Sequence, residues 1–96
     1  MKHAYAGEVR WLSFRLRNGQ SIGPAALSAG WSQAAATNGC TVRREAIEGA
    51  GVVYALYGPN SLPSPRAAEL NMRRFLEDAG YVFTMGSLGG RVAPVA

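Results

Sequence analysis

The chain has 96 residues, of which 48% are hydrophobic and 17% charged, a composition typical of a globular protein rather than a disordered one. We therefore expect residues 1–96 to form a single domain with one modest core. No apolar run reaches the roughly 18 residues of a membrane span, and the N-terminal segment lacks the apolar stretch of a signal peptide, so we expect a cytoplasmic protein without a membrane partner. The formal charge of +4 favours anionic partners.

Cysteine and histidine each occur once, as Cys40 and His3. A single cysteine cannot form an internal disulfide, and we expect Cys40 to be a small buried hydrophobic residue rather than a reactive thiol. One Cys and one His provide neither a nucleophile with its base nor a cluster of metal ligands. The sequence therefore disfavours an enzyme and predicts no cofactor, no metal site and no catalytic residues.

The first half of the chain predicts a strand, a helix and a strand. A β-prone run covers about residues 8–17, a helix over about 24–38 begins at a proline, and a second strand covers about 40–48. Gly30 lies inside the helix and costs about 1 kcal/mol relative to alanine. This helix is therefore expected to be the weakest element.

The second half predicts the same order, with strands over about 51–58 and 81–86 around a helix over about 65–79. Ser64 is placed to cap the helix N-terminus, and Gly80 is placed to end it in a left-handed conformation. Apolar residues recur at helical spacing at Ala68, Met72, Phe75, Leu76 and Ala79. The last ten residues, 87–96, are expected to be a tail or an extra edge strand.

The two halves align with an offset of 41 residues, which places Pro24 on Pro65 (65 − 24 = 41). The apolar stripes of the two helices then coincide, with Leu27 on Ala68 and Trp31 on Met72. Two strand–helix–strand units joined by a hairpin predict a ferredoxin-like split βαβ plait, with the order βαββαβ. We thus expect an α+β fold in which four antiparallel strands carry both helices on one face.

The other face of such a sheet is open, and strand alternation assigns side chains to it. The alternation predicts Trp11, Ser13, Arg15 and Arg17 on the open side of the first strand. By the 41-residue offset, Val53, Ala55 and Tyr57 face the helices and Tyr54 faces outward. In the second strand Arg43 is predicted to be open and Arg44 to face the helices, where a charge fits only if the strand lies at the sheet edge.

Five residues of the open face are candidates for nucleic-acid or partner binding: Trp11, Arg15, Arg17, Arg43 and Tyr54. Aromatic rings allow the bases of a single strand to stack, and arginines contact its phosphates. The arrangement resembles RNA-recognition-motif domains in topology, although "GVVYALYG" lacks their aromatic strand signature. The sequence therefore predicts a non-enzymatic module that binds single-stranded nucleic acid or a nucleoprotein.

A protein-interaction role is the alternative. Val9, Val52, Leu56 and Val82 would join the aromatic residues on the open face and form an apolar patch of the kind that marks interfaces. The chain would then be a small regulator or inhibitor of the mobile-element accessory type, or a dimer formed through the sheet.

A rival fold is suggested by "SIGPAALSAG" followed by "TVRREAIEGAGVV". These segments resemble the scanning and recognition helices of winged helix-turn-helix proteins. That resemblance implies that Thr41, Arg43 and Arg44 contact the major groove of DNA. It also requires the segment around Val42 to Ile47 to be helical.

Overall fold

The computed structural model describes residues 8–49 and 51–87. The elements in chain order are β1 (Val9–Leu16), α1 (Pro24–Ala35), β2 (Thr41–Ile47), β3 (Gly51–Gly58), α2 (Pro65–Asp78) and β4 (Phe83–Ser87). Each lies close to its predicted range. The predictions for His3 and for residues 88–96 fall outside the described residues.

The four strands form one antiparallel sheet in the order β2-β3-β1-β4. Buried residues of both helices share one core with Leu12 and Phe14 of β1 and with Leu56 of β3, so both helices cover the same face of the sheet. The protein is therefore α+β, and its architecture is compatible with the predicted ferredoxin-like plait. The winged-helix alternative is wrong, because Thr41–Ile47 is a strand paired along its whole length with β3.

Helix α2 begins and ends as its sequence predicts. The Ser64 hydroxyl accepts a hydrogen bond of 3.2 Å from the Ala67 amide. At the other end Gly80 has a φ of 88°, and its amide donates to the Glu77 carbonyl. The Tyr81 amide donates to the Leu76 carbonyl, which completes the double hydrogen bond of a Schellman motif.

Helix α1 ends at Ala35, earlier than predicted. Ala36 takes the left-handed conformation, with a φ of 59°, and its amide donates to the carbonyls of Ser32 and Gln33. Gly39, which the 41-residue offset aligns with Gly80 (80 − 39 = 41), lies beyond the helix end, although its φ of 66° is also positive. An alanine in this conformation costs roughly 1–2 kcal/mol, so the local geometry of the turn outweighs the residue preference.

A one-residue bulge in β1 reverses the predicted direction of Trp11. Arg10 pairs with Tyr57 and Leu12 pairs with Leu56, so Trp11 is the extra residue of β1. Its ring packs against the core, and its indole N–H donates to the Pro59 carbonyl at 2.8 Å. The prediction that Trp11 lies on the open face is therefore wrong.

The predicted faces of β3 are also reversed. The side chains of Tyr54 and Leu56 lie in the core under the helices, where Tyr54 is only 3% exposed. The Tyr54 ring stacks on Phe14 with 5.0 Å between centroids, and its hydroxyl accepts a hydrogen bond of 3.4 Å from the Ile22 amide. Tyr54 therefore cannot contact a partner at the open face, where the sequence placed it.

The apolar stripes predicted for the two helices are confirmed except at Ala79, which is exposed. Leu27 and Trp31 of α1 and Met72 and Leu76 of α2 are fully buried. The Trp31 indole N–H donates to the Tyr57 carbonyl at 2.8 Å, which ties the middle of α1 to the end of β3. A buried indole needs such an acceptor, because an unpaired polar group inside a core costs about 1–3 kcal/mol.

Gly30 of α1 lies against the Phe75 ring of α2. A Cβ added at Gly30 would lie 2.6 Å from Cζ of Phe75, well inside van der Waals contact. The glycine that weakens α1 as an isolated helix therefore makes room for an aromatic ring of α2. Packing overrides helix propensity at this position.

We expect Gly30→Ala to destabilise the protein by about 1–2 kcal/mol, although alanine is the better helix former, because the overpacked contact outweighs the gain in propensity. Urea unfolding followed by circular dichroism measures the change. In a Phe75→Leu background the same substitution should be neutral or stabilising, because the ring that it meets is gone. An equal loss in both backgrounds would show that the contact with Phe75 is not the cause.

Candidate binding face

The sheet face opposite the helices is uncovered in the described part of the chain, and we call it the open face. Strand pairing places these side chains on it: Arg10, Ser13 and Arg15 from β1, Thr41, Arg43, Glu45 and Ile47 from β2, Val53, Ala55 and Tyr57 from β3, and Thr84 and Gly86 from β4. It is thus built mainly from arginines, small residues and hydroxyl groups.

The middle of the open face is a strip of small residues that pair across the sheet: Gly86 of β4, Ser13 of β1 and Ala55 of β3. Ala55 does not belong to the core under the helices. It is nevertheless 0% exposed, because larger residues on both sides cover it. The Arg10 guanidinium reaches over this strip to the Glu45 carboxylate at 3.7 Å and so links β1 to β2. Both side chains are about one third exposed, so this pair contributes at most about 1 kcal/mol to stability.

Tyr57 is the aromatic residue of β3 on the open face. The Arg43 guanidinium lies over its ring, 5.3 Å from the centroid, in a cation–π contact. Next to this pair, the Thr41 hydroxyl donates a hydrogen bond of 2.9 Å to the Glu8 carboxylate. The Arg43 guanidinium thus lies on the face of the Tyr57 ring at one end of the open face.

Arg15 is exposed at the other end and makes no ion pair within residues 8–49 and 51–87. It lines a shallow depression of about 460 Å³ together with Arg10, Ser13, Ile47 and Thr84. Arg17 follows two residues later, and its amide donates to the Val82 carbonyl at 2.9 Å, which continues the ladder beyond β1. Alternation places Arg17 on the same side of the sheet as Arg15.

Of the five predicted binding residues, Arg15, Arg17 and Arg43 lie on the open side of the sheet, and Trp11 and Tyr54 do not. The sequence analysis missed Arg10 and Tyr57, which the bulge and the true faces of β3 bring there. The bulge has no signature in the sequence. The orientation of β3 does have a signature in the sequence, because a leucine at position 56 fills a core better than an alanine at position 55.

Arg44 pairs with Tyr54 across the β2–β3 ladder and points toward the helix side, as predicted. It is nevertheless exposed, because β2 is an edge strand and the helices do not cover it fully. The expected escape of this charge at the sheet edge is therefore what the structure shows.

Other kinds of site find little support within the described ranges. No three His, Cys, Asp or Glu side chains there lie together as a metal ion would require. Neither helix is long and apolar enough to cross a membrane. No protein-family model matches this sequence, and no curated protein and no solved structure matches it either.

Cys40 is half-buried against the core, and its thiol donates to the Thr37 carbonyl at 3.7 Å. Burial raises the pKa of this thiol, and the negative charge of Glu8 raises it further, whereas a hydrogen bond with Ser32 acts in the opposite direction. At neutral pH the sulfur is thus held as the thiol, which is not the nucleophilic form.

We expect Cys40 in the folded protein to react with a thiol-specific disulfide reagent more slowly at neutral pH than it does in urea. Because the pKa of the thiol is raised, the rate should climb with pH into the alkaline range. Stopped-flow absorbance measures both rates. Equal rates in the folded and unfolded protein would contradict the inference that the thiol is protected.

Proposed function

We propose that the chain is a ferredoxin-like plait whose open face binds single-stranded nucleic acid. Two strand–helix–strand units form the fold, and the first strand of each, β1 and β3, lies at the centre of the sheet. In this arrangement the helices stabilise one face and leave the other for binding.

The observation that carries the proposal is the excess of arginine on the open face. Arg10, Arg15 and Arg43 belong to it, whereas the described carboxylates there are Glu45 and Glu8, which accepts a hydrogen bond from Thr41. Arginine presents a planar fork that matches phosphate oxygens, and single strands are bound largely through their phosphates. A polyanion is therefore the partner whose charge best matches this surface.

The shape of the face favours a single strand over a duplex. Neither α1 nor α2 projects from it to enter a major groove, because both pack on the opposite face. The bases of a single strand can stack on flat groups, and the Tyr57 ring and the Arg43 guanidinium are such groups. Ser13 and Gly86, which are small and not fully buried, let a strand lie close to the sheet.

A protein partner is supported less well. The apolar patch expected on the open face required Val52 and Leu56 to point outward, whereas both pack toward the helices. Ile47, which is 43% exposed, and Val82, which is 52% exposed and lies on the same side as its neighbour Arg17, are large aliphatic side chains left at the edges of the open face. An interface between two sheets would thus have to bury several arginines against one another, which is unfavourable.

We expect the variant Arg10→Gln/Arg15→Gln/Arg43→Gln to bind a fluorescent single-stranded oligonucleotide of about ten nucleotides much more weakly than the wild type. Each lost phosphate contact should also reduce the slope of log affinity against log salt by about 0.7. Fluorescence anisotropy titrations at several salt concentrations measure both quantities.

The matched control, Arg44→Gln/Arg66→Gln/Arg74→Gln, removes the same charge from exposed positions outside the open face. Its affinity and slope should stay much closer to those of the wild type. Equal losses of affinity in the two triple variants would show that binding depends on net charge alone. That result would overturn the assignment of binding to the open face. A wild type that binds no oligonucleotide at low salt would overturn the function itself.

We expect Glu45→Gln to strengthen oligonucleotide binding, because it removes a negative charge from the open face and releases Arg10 from its ion pair. The gain should reach at most about fivefold at low salt, which corresponds to about 1 kcal/mol for unit charges 4 Å apart in water. It should shrink as salt is added. The control is Glu77→Gln on α2; the same gain in both variants would contradict a local effect.

A further inference from the structure

The two central strands part at one end of the sheet. Pairing between β1 and β3 ends at Phe14 and Tyr54, although β1 continues to Leu16 and β3 starts at Gly51. Both segments stay paired on their outer sides, Leu16 with Phe83 and Gly51 with Ile47. The space between them is an open cleft of about 570 Å³, which lies in the size range of small-molecule sites.

The charge in this cleft is positive. Arg15 and Arg17 line it, and no carboxylate belongs to its described lining. Neither arginine makes an ion pair with any other described residue. Because they occupy alternate positions of one strand, both project to the same side, and Thr84, which pairs with Arg15, adds a hydroxyl beside them.

The loop after β1 forms one wall of the cleft. It is held in place by hydrogen bonds to the residues that precede β4. The Gln20 side chain accepts from the Val82 amide at 2.9 Å and donates to the Gly80 carbonyl at 3.3 Å. The Tyr81 hydroxyl donates to the Ser21 carbonyl at 3.0 Å. The loop that carries Arg17 is thus tied to its neighbour strand, which keeps the arginines positioned before a ligand arrives.

We propose that this cleft binds a phosphate monoester, with the phosphate held by Arg15 and Arg17. Two guanidinium groups and a hydroxyl match the oxygens of a phosphate dianion. The aliphatic side chains of Leu16, Val52 and Val82 also line the cleft and would contact the organic part of the ligand. The cleft adjoins the open face at Arg15 and Thr84, which line both the cleft and the depression of about 460 Å³, whereas Arg17 lines the cleft alone of the two.

Titrations of the ¹⁵N-labelled protein with inorganic phosphate, adenosine monophosphate and adenosine test the proposal. Phosphate and the monophosphate should shift the amide signals of Arg15, Arg17, Val52 and Thr84, and the monophosphate should bind more tightly. Adenosine should leave these signals in place. Shifts caused equally by adenosine, or no shifts with either phosphate, would overturn the proposal.

The variant Arg17→Gln should weaken binding of the monophosphate about tenfold, as expected for the loss of one charge-assisted contact. Arg44→Gln removes the same charge from the edge of β2, outside the cleft, and should leave the affinity unchanged. An equal loss in both variants would make the effect one of net charge and would refute the site. The spectra of the free variants show whether each retains the fold.

The phosphate monoester can belong to a free ligand or to the end of a nucleic-acid strand. Comparison of oligonucleotides with a 5′-phosphate and with a 5′-hydroxyl separates the two. A gain from the 5′-phosphate that Arg17→Gln removes assigns the site to strand ends; shifts with the monophosphate and no such gain assign it to a free ligand. Binding of the monophosphate without any oligonucleotide binding would retain this site and refute the function proposed for the open face.

Discussion

The stacking of Tyr54 on Phe14 is the interaction on which the arrangement of the sheet depends. The two rings lie 5.0 Å apart and 15° from parallel, on neighbouring central strands beneath the helices. Burying both rings on the helix side assigns the remaining face of β3 to small residues and Tyr57. The same pair is the last in the β1–β3 ladder, so it also sets the point at which the cleft begins.

The two ends of the central strand pair are built differently. At the end where β1 begins, a bulge interrupts the ladder, and the indoles of Trp11 and Trp31 donate to the carbonyls of Pro59 and Tyr57. The two indoles thus donate to backbone carbonyls that backbone amides would pair with in a regular ladder. At the opposite end the two strands part, and Arg15 and Arg17 are among the described residues that line the gap. This asymmetry restricts the cleft to one end of the sheet.

The order of the elements and the buried stripes of both helices could be predicted from the sequence, because helical periodicity tolerates small errors of alignment. The strand faces could not be predicted in the same way. The 41-residue offset matches the helices, but Leu12 and Phe14 correspond in packing to Tyr54 and Leu56, an offset of 42 (54 − 12 = 42). Since side chains alternate with a period of two, an error of one residue reverses every assignment in a strand.

The predicted positions of the arginines on the open face depend less on this offset error than those of the aromatic residues. Arg43 belongs to β2, which was assigned from its own alternation, and Arg15 lies beyond the bulge, where the alternation of β1 is regular. Trp11 occupies the bulge, and Tyr54 was assigned through the offset, so both were placed wrongly. Because Trp11 and Tyr54 pack toward the core, the open face carries Tyr57 and small residues in place of these two large rings. In the function we propose, binding there depends more on phosphate contacts than on stacking, which favours affinity that falls steeply with salt over recognition of particular bases.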